Sequence, residues 1–191
     1  MPKIIGFGHS VMKGVGYGGA TATDTFIHKI GIANGYAASE IINKGVSSDT
    51  SAGALARLNT DVISQSPSVC AIMLGANDWS TSVPATVFKS NLSEIVRRLK
   101  LAGIKCVLFT DNASRGTVAQ FNSYFPYIEA IKEVAVAHDF PLIDIYGRML
   151  QAMMVSSYSH LYVDSIHLTV AGHKFVADHA ARSFYSGAFA A

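Results

Sequence analysis

Apolar residues along this chain fall into short dense runs, separated by longer stretches in which they recur every three or four positions. The dense runs at residues 3–7, 40–43, 69–74, 105–110 and 142–145 predict five strands. The third is apolar on both faces, as suits a strand covered by helices on each side. The stretches between them predict helices over 23–33, 51–64, 84–101 and 119–138, and a last one over 169–184. Asn34-Gly35 stops the first and Ser66-Pro67 closes the second. In the third, Phe88, Leu92, Ile95, Val96 and Leu99 form one helical stripe, opposed by Lys89, Glu94, Arg97, Arg98 and Lys100. Gly103 ends it. Pro126 is expected to bend or restart the fourth, and Thr169 to cap the last.

Strand–helix alternation repeated about five times predicts a three-layer α/β/α sandwich around a parallel five-stranded sheet. The 191 residues suit one domain, 1–191. Half of the residues are hydrophobic and only 15% are charged, which excludes intrinsic disorder. The longest apolar run, residues 69–76, is too short for a membrane span, and the first residues show no signal-peptide pattern. A formal net charge of +2, well mixed, gives no basic face for nucleic acid. Cys70 and Cys106 each sit inside an apolar run and are expected to be buried reduced thiols. The seven histidines form no metal pattern, and no metal or cofactor is expected. His167, His173 and His179, six apart, would not converge on one ion if helical.

Ligands of such sheets bind beyond the carboxyl ends of the strands, so the chemistry is expected in the loops there. After the first strand comes Gly6-Phe7-Gly8-His9-Ser10, and after the second Asn43-Lys44-Gly45-Val46-Ser47-Ser48. After the third comes Gly75-Ala76-Asn77-Asp78-Trp79, and before the last helix Asp164-Ser165-Ile166-His167. A hydroxyl nucleophile, a glycine turn, a side-chain amide and a carboxylate–imidazole pair thus share one rim.

These four blocks, in this order, resemble the SGNH hydrolases, the GDSL lipase/esterase superfamily, over essentially the whole chain. The resemblance implies a flavodoxin-like fold and a serine esterase. It implies Ser10 as nucleophile, His167 as base and Asp164 as the acid that orients it. It implies an oxyanion hole made by the backbone N–H groups of Ser10 and Gly45 and the side-chain amide of Asn77. Glycine at 45 would let the backbone approach the substrate with no Cβ in the way. Two positions and one segment depart from the family pattern. His9 stands where an aspartate is usual, and Ser48 where a second glycine is usual. Residues 110–116 replace an often proline-rich segment.

His9, Trp79, Asn112 and Arg115 are candidate substrate contacts, with Asp111 beside them. A solvated loop is the default for His9, Asp111, Asn112 and Arg115. Asp78 is expected to be a structural turn residue, and His160 and His173 structural histidines. With no apolar insertion that could form a lid, a short acyl group is expected, first an acetyl ester on carbohydrate. The expected partner is therefore a small-molecule or carbohydrate ester, with no nucleic acid and no membrane.

Two rivals stay open. A non-catalytic carbohydrate-binding module on the same fold would explain His9 as the mark of a lapsed site. A dinucleotide-binding oxidoreductase is spelled by the G-x-G-x-x-G of residues 14–19 with Glu40 beyond it, although that run neither follows the strand directly nor opens a clean helix. A cytoplasmic free-standing enzyme and a module of a longer secreted or phage tail protein both fit the ends of the chain.

Overall fold

The computed structural model describes residues 2–14, 21–112, 118–155 and 158–183. Strand β1, Ile4–Gly8, leads directly into a one-turn helix, α1, Ser10–Lys13. Helix α2, Phe26–Ala33, returns the chain to β2, Ile41–Gly45, and α3, Ser51–Asp61, to β3, Val69–Met73. The short helix α4, Ala76–Ser80, and the long α5, Ala85–Leu101, precede β4, Lys105–Phe109. Then come α6, Val118–His138, β5, Leu142–Ile143, α7, Ile145–Val155, and α8, Val170–Ser183. All strand pairs are parallel, in the order β2-β1-β3-β4-β5. This is the flavodoxin-like order, in which the connections reverse direction between β1 and β3. Helices α3, α5 and α6 pack together, and α2 packs with α8, so the sheet is covered on both faces.

Burial follows the patterning. The five apolar residues of the α5 stripe are all buried, and β1 and β3 are buried throughout. Gly35 and Gly103 take positive φ of 84° and 71° where helices end. The Thr169 hydroxyl accepts the Gly172 N–H at 3.1 Å and so caps α8. Cys70 and Cys106 are buried, free and in register across β3 and β4, and burial pushes both thiols well above their ordinary pKa.

Helix α6 is continuous through Pro126, with Tyr124 before it and Tyr127, Ile128 and Ile131 after it buried. One expectation needs correction. The expected fifth strand over 142–145 stops at Ile143, because Asp144 turns the chain into α7. The Asp144 carboxylate accepts the Gly147 N–H at 3.0 Å, an N-cap for that helix. No helix among the described residues is long and apolar enough to cross a membrane.

Candidate active site

Ser10 stands at the first turn of α1, immediately beyond the carboxyl end of β1, and is 8% exposed. His167 faces it from the loop before α8, with Nε2 at 3.0 Å from Ser10 Oγ. The other ring nitrogen, Nδ1, lies 2.6 Å from Asp164 Oδ2. An ionised carboxylate only accepts, so Nδ1 carries the proton and Nε2 offers its lone pair to the serine hydroxyl. Asp164 Oδ1 also accepts the N–H groups of Ile166 and His167 at 2.8 and 2.7 Å. Burial opposes ionisation of Asp164, but the His167 ring and these two N–H donors outweigh it and hold its pKa down at about 2. The loop is pinched at its base by an antiparallel bridge between Tyr162 and Leu168, and the Val163 N–H donates to the His167 carbonyl at 2.9 Å.

Asn77 lies in the first turn of α4, beyond the carboxyl end of β3, and is half-buried. Its Nδ2 donates to the Asp49 carbonyl at 2.8 Å, so one of its two amide protons is committed to the turn after β2. Asp78 is fully buried and accepts from both the backbone N–H and the hydroxyl of Ser51, the structural role expected for it.

Gly45 departs from expectation. Its N–H already donates to Asn43 Oδ1 at 2.9 Å. A Cβ there would lie 2.2 Å from Lys13 N, so what requires glycine is the packing of β2 against the α1 backbone, not approach to a ligand. Asn43 completes this junction by donating to the carbonyl of Met12 at 2.8 Å. On the same turn Ser48 takes the left-handed conformation, with φ of 60°.

Two of the candidate substrate contacts are also corrected. His9 is fully buried and Asn112 nearly so, and neither lies on a solvated loop. His9 Nδ1 accepts the Val11 N–H at 3.2 Å, capping α1, and Nε2 lies 2.6 Å from Asp111 Oδ2, itself fully buried. Burial would raise the Asp111 carboxyl, but the His9 ring and the Asn112 N–H prevail and hold it below its ordinary value. Asn112 Nδ2 donates to the Ile166 carbonyl at 2.7 Å. Trp79 keeps part of its ring exposed, packs 5.5 Å from the Tyr124 ring and donates from Nε1 to Ser123 Oγ at 3.1 Å. Arg115 lies outside the described residues, as does the glycine-rich run beyond Gly14. Gly14 itself, with φ of 60°, ends α1 and donates its N–H to the Ser10 carbonyl. His173 is buried against the Phe26 ring and accepts the Phe26 N–H, a structural setting. Among the described residues no three His, Cys, Asp or Glu side chains gather as a metal site.

Arg57 was not among the expected site residues. Its guanidinium meets Asp49 Oδ2 at 2.6 Å, Asp61 Oδ2 at 2.9 Å and the carbonyls of Lys44 and Gly8 at 2.8 and 3.1 Å. It also lies 4.2 Å over the Phe7 ring. It thereby ties the turn that receives Asn77 to the ends of β1 and β2. The signal was available: an arginine between Ala54 and Leu58 on the inward side of α3.

The chain is 37% identical over 68 residues to an arylesterase from Vibrio mimicus, a stretch that is 36% of this chain and 34% of that protein. The match thus spans about a third of the relative's length. An acetylxylan esterase from Geobacillus stearothermophilus superimposes with a TM-score of 0.82 at 20% identity, over 97% of this chain and 94% of that one. A lipase/acylhydrolase from Enterococcus faecalis does so with a TM-score of 0.76 at 24% identity, over 96% and 95%. Residues 7–175 match the model of the GDSL-like lipase/acylhydrolase family, and the chain belongs to that family.

Proposed function

We propose that this protein is a serine esterase that cleaves short acyl esters, first of all acetyl esters carried on carbohydrate. The observation that carries this reading is the chain of contacts from Ser10 Oγ to His167 Nε2 at 3.0 Å and from His167 Nδ1 to Asp164 at 2.6 Å. A serine hydroxyl is a poor nucleophile at neutral pH and needs a base within about 3 Å, itself held by an acid. Ser10 Oγ attacks the acyl carbonyl while its proton passes to His167 Nε2. The tetrahedral intermediate collapses, the ester C–O bond breaks, and the leaving alkoxide takes that proton from His167. Water then attacks the acyl-serine with His167 again as base, releasing the carboxylic acid and restoring Ser10.

The carbonyl oxygen becomes negative at each attack. The donors we assign to it are the Ser10 N–H and the second amide proton of Asn77. In place of Gly45 stands the N–H of Ser48, on the turn whose Asp49 carbonyl receives the Asn77 amide. The acetyl preference is supported by the likeness to the acetylxylan esterase, solved catalytic mutants of which alter one serine and one histidine.

A p-nitrophenyl ester series from acetate to octanoate, beside acetate release from acetylated xylan, tests the reading. Acetate esters should be cleaved fastest, and Ser10→Ala should abolish turnover with its melting temperature unchanged. Asp164→Asn should lower kcat by orders of magnitude with little change in KM, since the acid acts on the base and not on the substrate. Ser10→Ala activity within about tenfold of the parent would remove the nucleophile assignment, because a lost nucleophile costs far more.

A further inference from the structure

We propose that the buried His9–Asp111 pair is a positioning device that locks the helix carrying Ser10 to the helix carrying Asn77. The proposal rests on the serine-esterase reading above. His9 directly precedes Ser10 and caps α1 through Nδ1, which accepts the Val11 N–H. With Nδ1 accepting, the ring proton resides on Nε2 and is donated to Asp111 Oδ2 at 2.6 Å. The same oxygen accepts the N–H of Ala76 at 3.1 Å. Ala76 is the first residue of α4 and the neighbour of Asn77. The other oxygen accepts the Asn112 N–H at 2.9 Å, and the Asn112 side chain donates to the carbonyl of Ile166, next to His167.

One carboxylate at the end of β4 therefore reaches all three parts of the site. It is bonded to the residue before the nucleophile and to the residue before the amide. Through Asn112 it also reaches the residue before the base. Burying a charge costs free energy that an apolar residue of the same size would not. What the carboxylate provides instead is acceptors in several directions at once, and the donors it meets are those that fix the relative placement of α1 and α4. Misplacing reacting groups by about 1 Å can cost roughly 100-fold in rate. A device of this kind acts on kcat and leaves ground-state binding nearly untouched.

Two near-isosteric substitutions separate positioning from plain stability. In His9→Asn the side-chain oxygen can take the place of Nδ1 and keep the cap, but the side chain falls short of Asp111. In His9→Gln the amide nitrogen can take the place of Nε2 and keep the bond to Asp111, but the cap is lost. Steady-state kinetics on p-nitrophenyl acetate, the inactivation rate with a p-nitrophenyl phosphonate and thermal melting are measured for both, with Asp111→Asn beside them. The expected result is that His9→Gln keeps kcat within about tenfold of the parent, while His9→Asn and Asp111→Asn lose roughly 100-fold, each with KM nearly constant. Phosphonate inactivation should slow in parallel, and the order of kcat should not follow the order of melting temperatures. Should a variant at position 9 not fold, Asp111→Asn decides by the same split between kcat and KM. An active parent whose His9→Asn and Asp111→Asn variants stay within about threefold, or whose kcat values track melting temperature, overturns the pairing while leaving the esterase reading intact. A parent inert to both ester and phosphonate overturns the esterase reading, and the pairing with it.

Discussion

The hydroxyl and the backbone N–H of Ser51 both end on the carboxylate of Asp78, 27 residues further along the chain. The contact fastens the start of α3 to α4, beside the point where the Asn77 amide meets the Asp49 carbonyl. Asn91 adds a third member by donating to the Ser51 hydroxyl at 3.0 Å. Ser51→Ala leaves the buried carboxylate short of a donor and Asn91 without this acceptor. It should destabilise the fold by about 1–3 kcal/mol, read as a lower urea midpoint at unchanged m-value.

On the proposed reading Asn77 has two roles, and its variants should separate them. Asn77→Ala removes both the donor assigned to the oxyanion and the bond to Asp49, and kcat should fall about 100–1,000-fold. Asn77→Asp sets a carboxylate against the Asp49 carbonyl and beside the developing oxyanion. It should melt below Asn77→Ala and turn over no faster. An Asp variant more active than the Ala variant would make the asparagine structural only.

Ser48 pays a conformational penalty for its φ of 60°, which a glycine would not. Ser48→Gly should raise stability by about 1 kcal/mol and keep kcat, because the backbone N–H assigned to the oxyanion stays in place. A large fall in kcat would shift attention to the serine hydroxyl.

His173 predicts an acid limb of stability. Burial, aided by the Lys29 charge and opposed by Asp24, brings its pKa down to about 4. An unfolded chain takes up that proton near pH 6.5, so between there and about pH 4 the unfolded state binds more protons and stability falls as the pH drops. The whole window is worth on the order of 3 kcal/mol. His173→Asn, which cannot titrate, should flatten the dependence of urea stability on pH over this range. A residual slope remains from His179, also shifted down by burial.

What was legible from residues alone was whatever has local period or local order. The Phe88–Leu99 stripe fixed α5, and the four loop blocks fixed where Ser10, Asn77 and the Asp164–His167 pair would stand. Asp164 and His167 are three residues apart, and their contact is nearly a local motif. Helix α7 was missed although Asp144 is a good cap and Ile145, Met149, Leu150 and Met153 keep helical spacing. The apolar run ahead of it drew the strand too far. The His9–Asp111 pair was not legible, because it joins residues 102 apart and polar side chains after a strand look like solvated loop. Gly45 was misjudged for a related reason. A glycine announces a close approach without saying to what, and here the neighbour is the Lys13 backbone.

The pinch between Tyr162 and Leu168 has a consequence for how the site loosens. It places Asp164 and His167, the proposed acid and base, on one closed loop, while Ser10 belongs to a different element. Warming or mild denaturant should therefore lengthen the Ser10–His167 contact before the Asp164–His167 hydrogen bond breaks, so that activity is lost ahead of global unfolding.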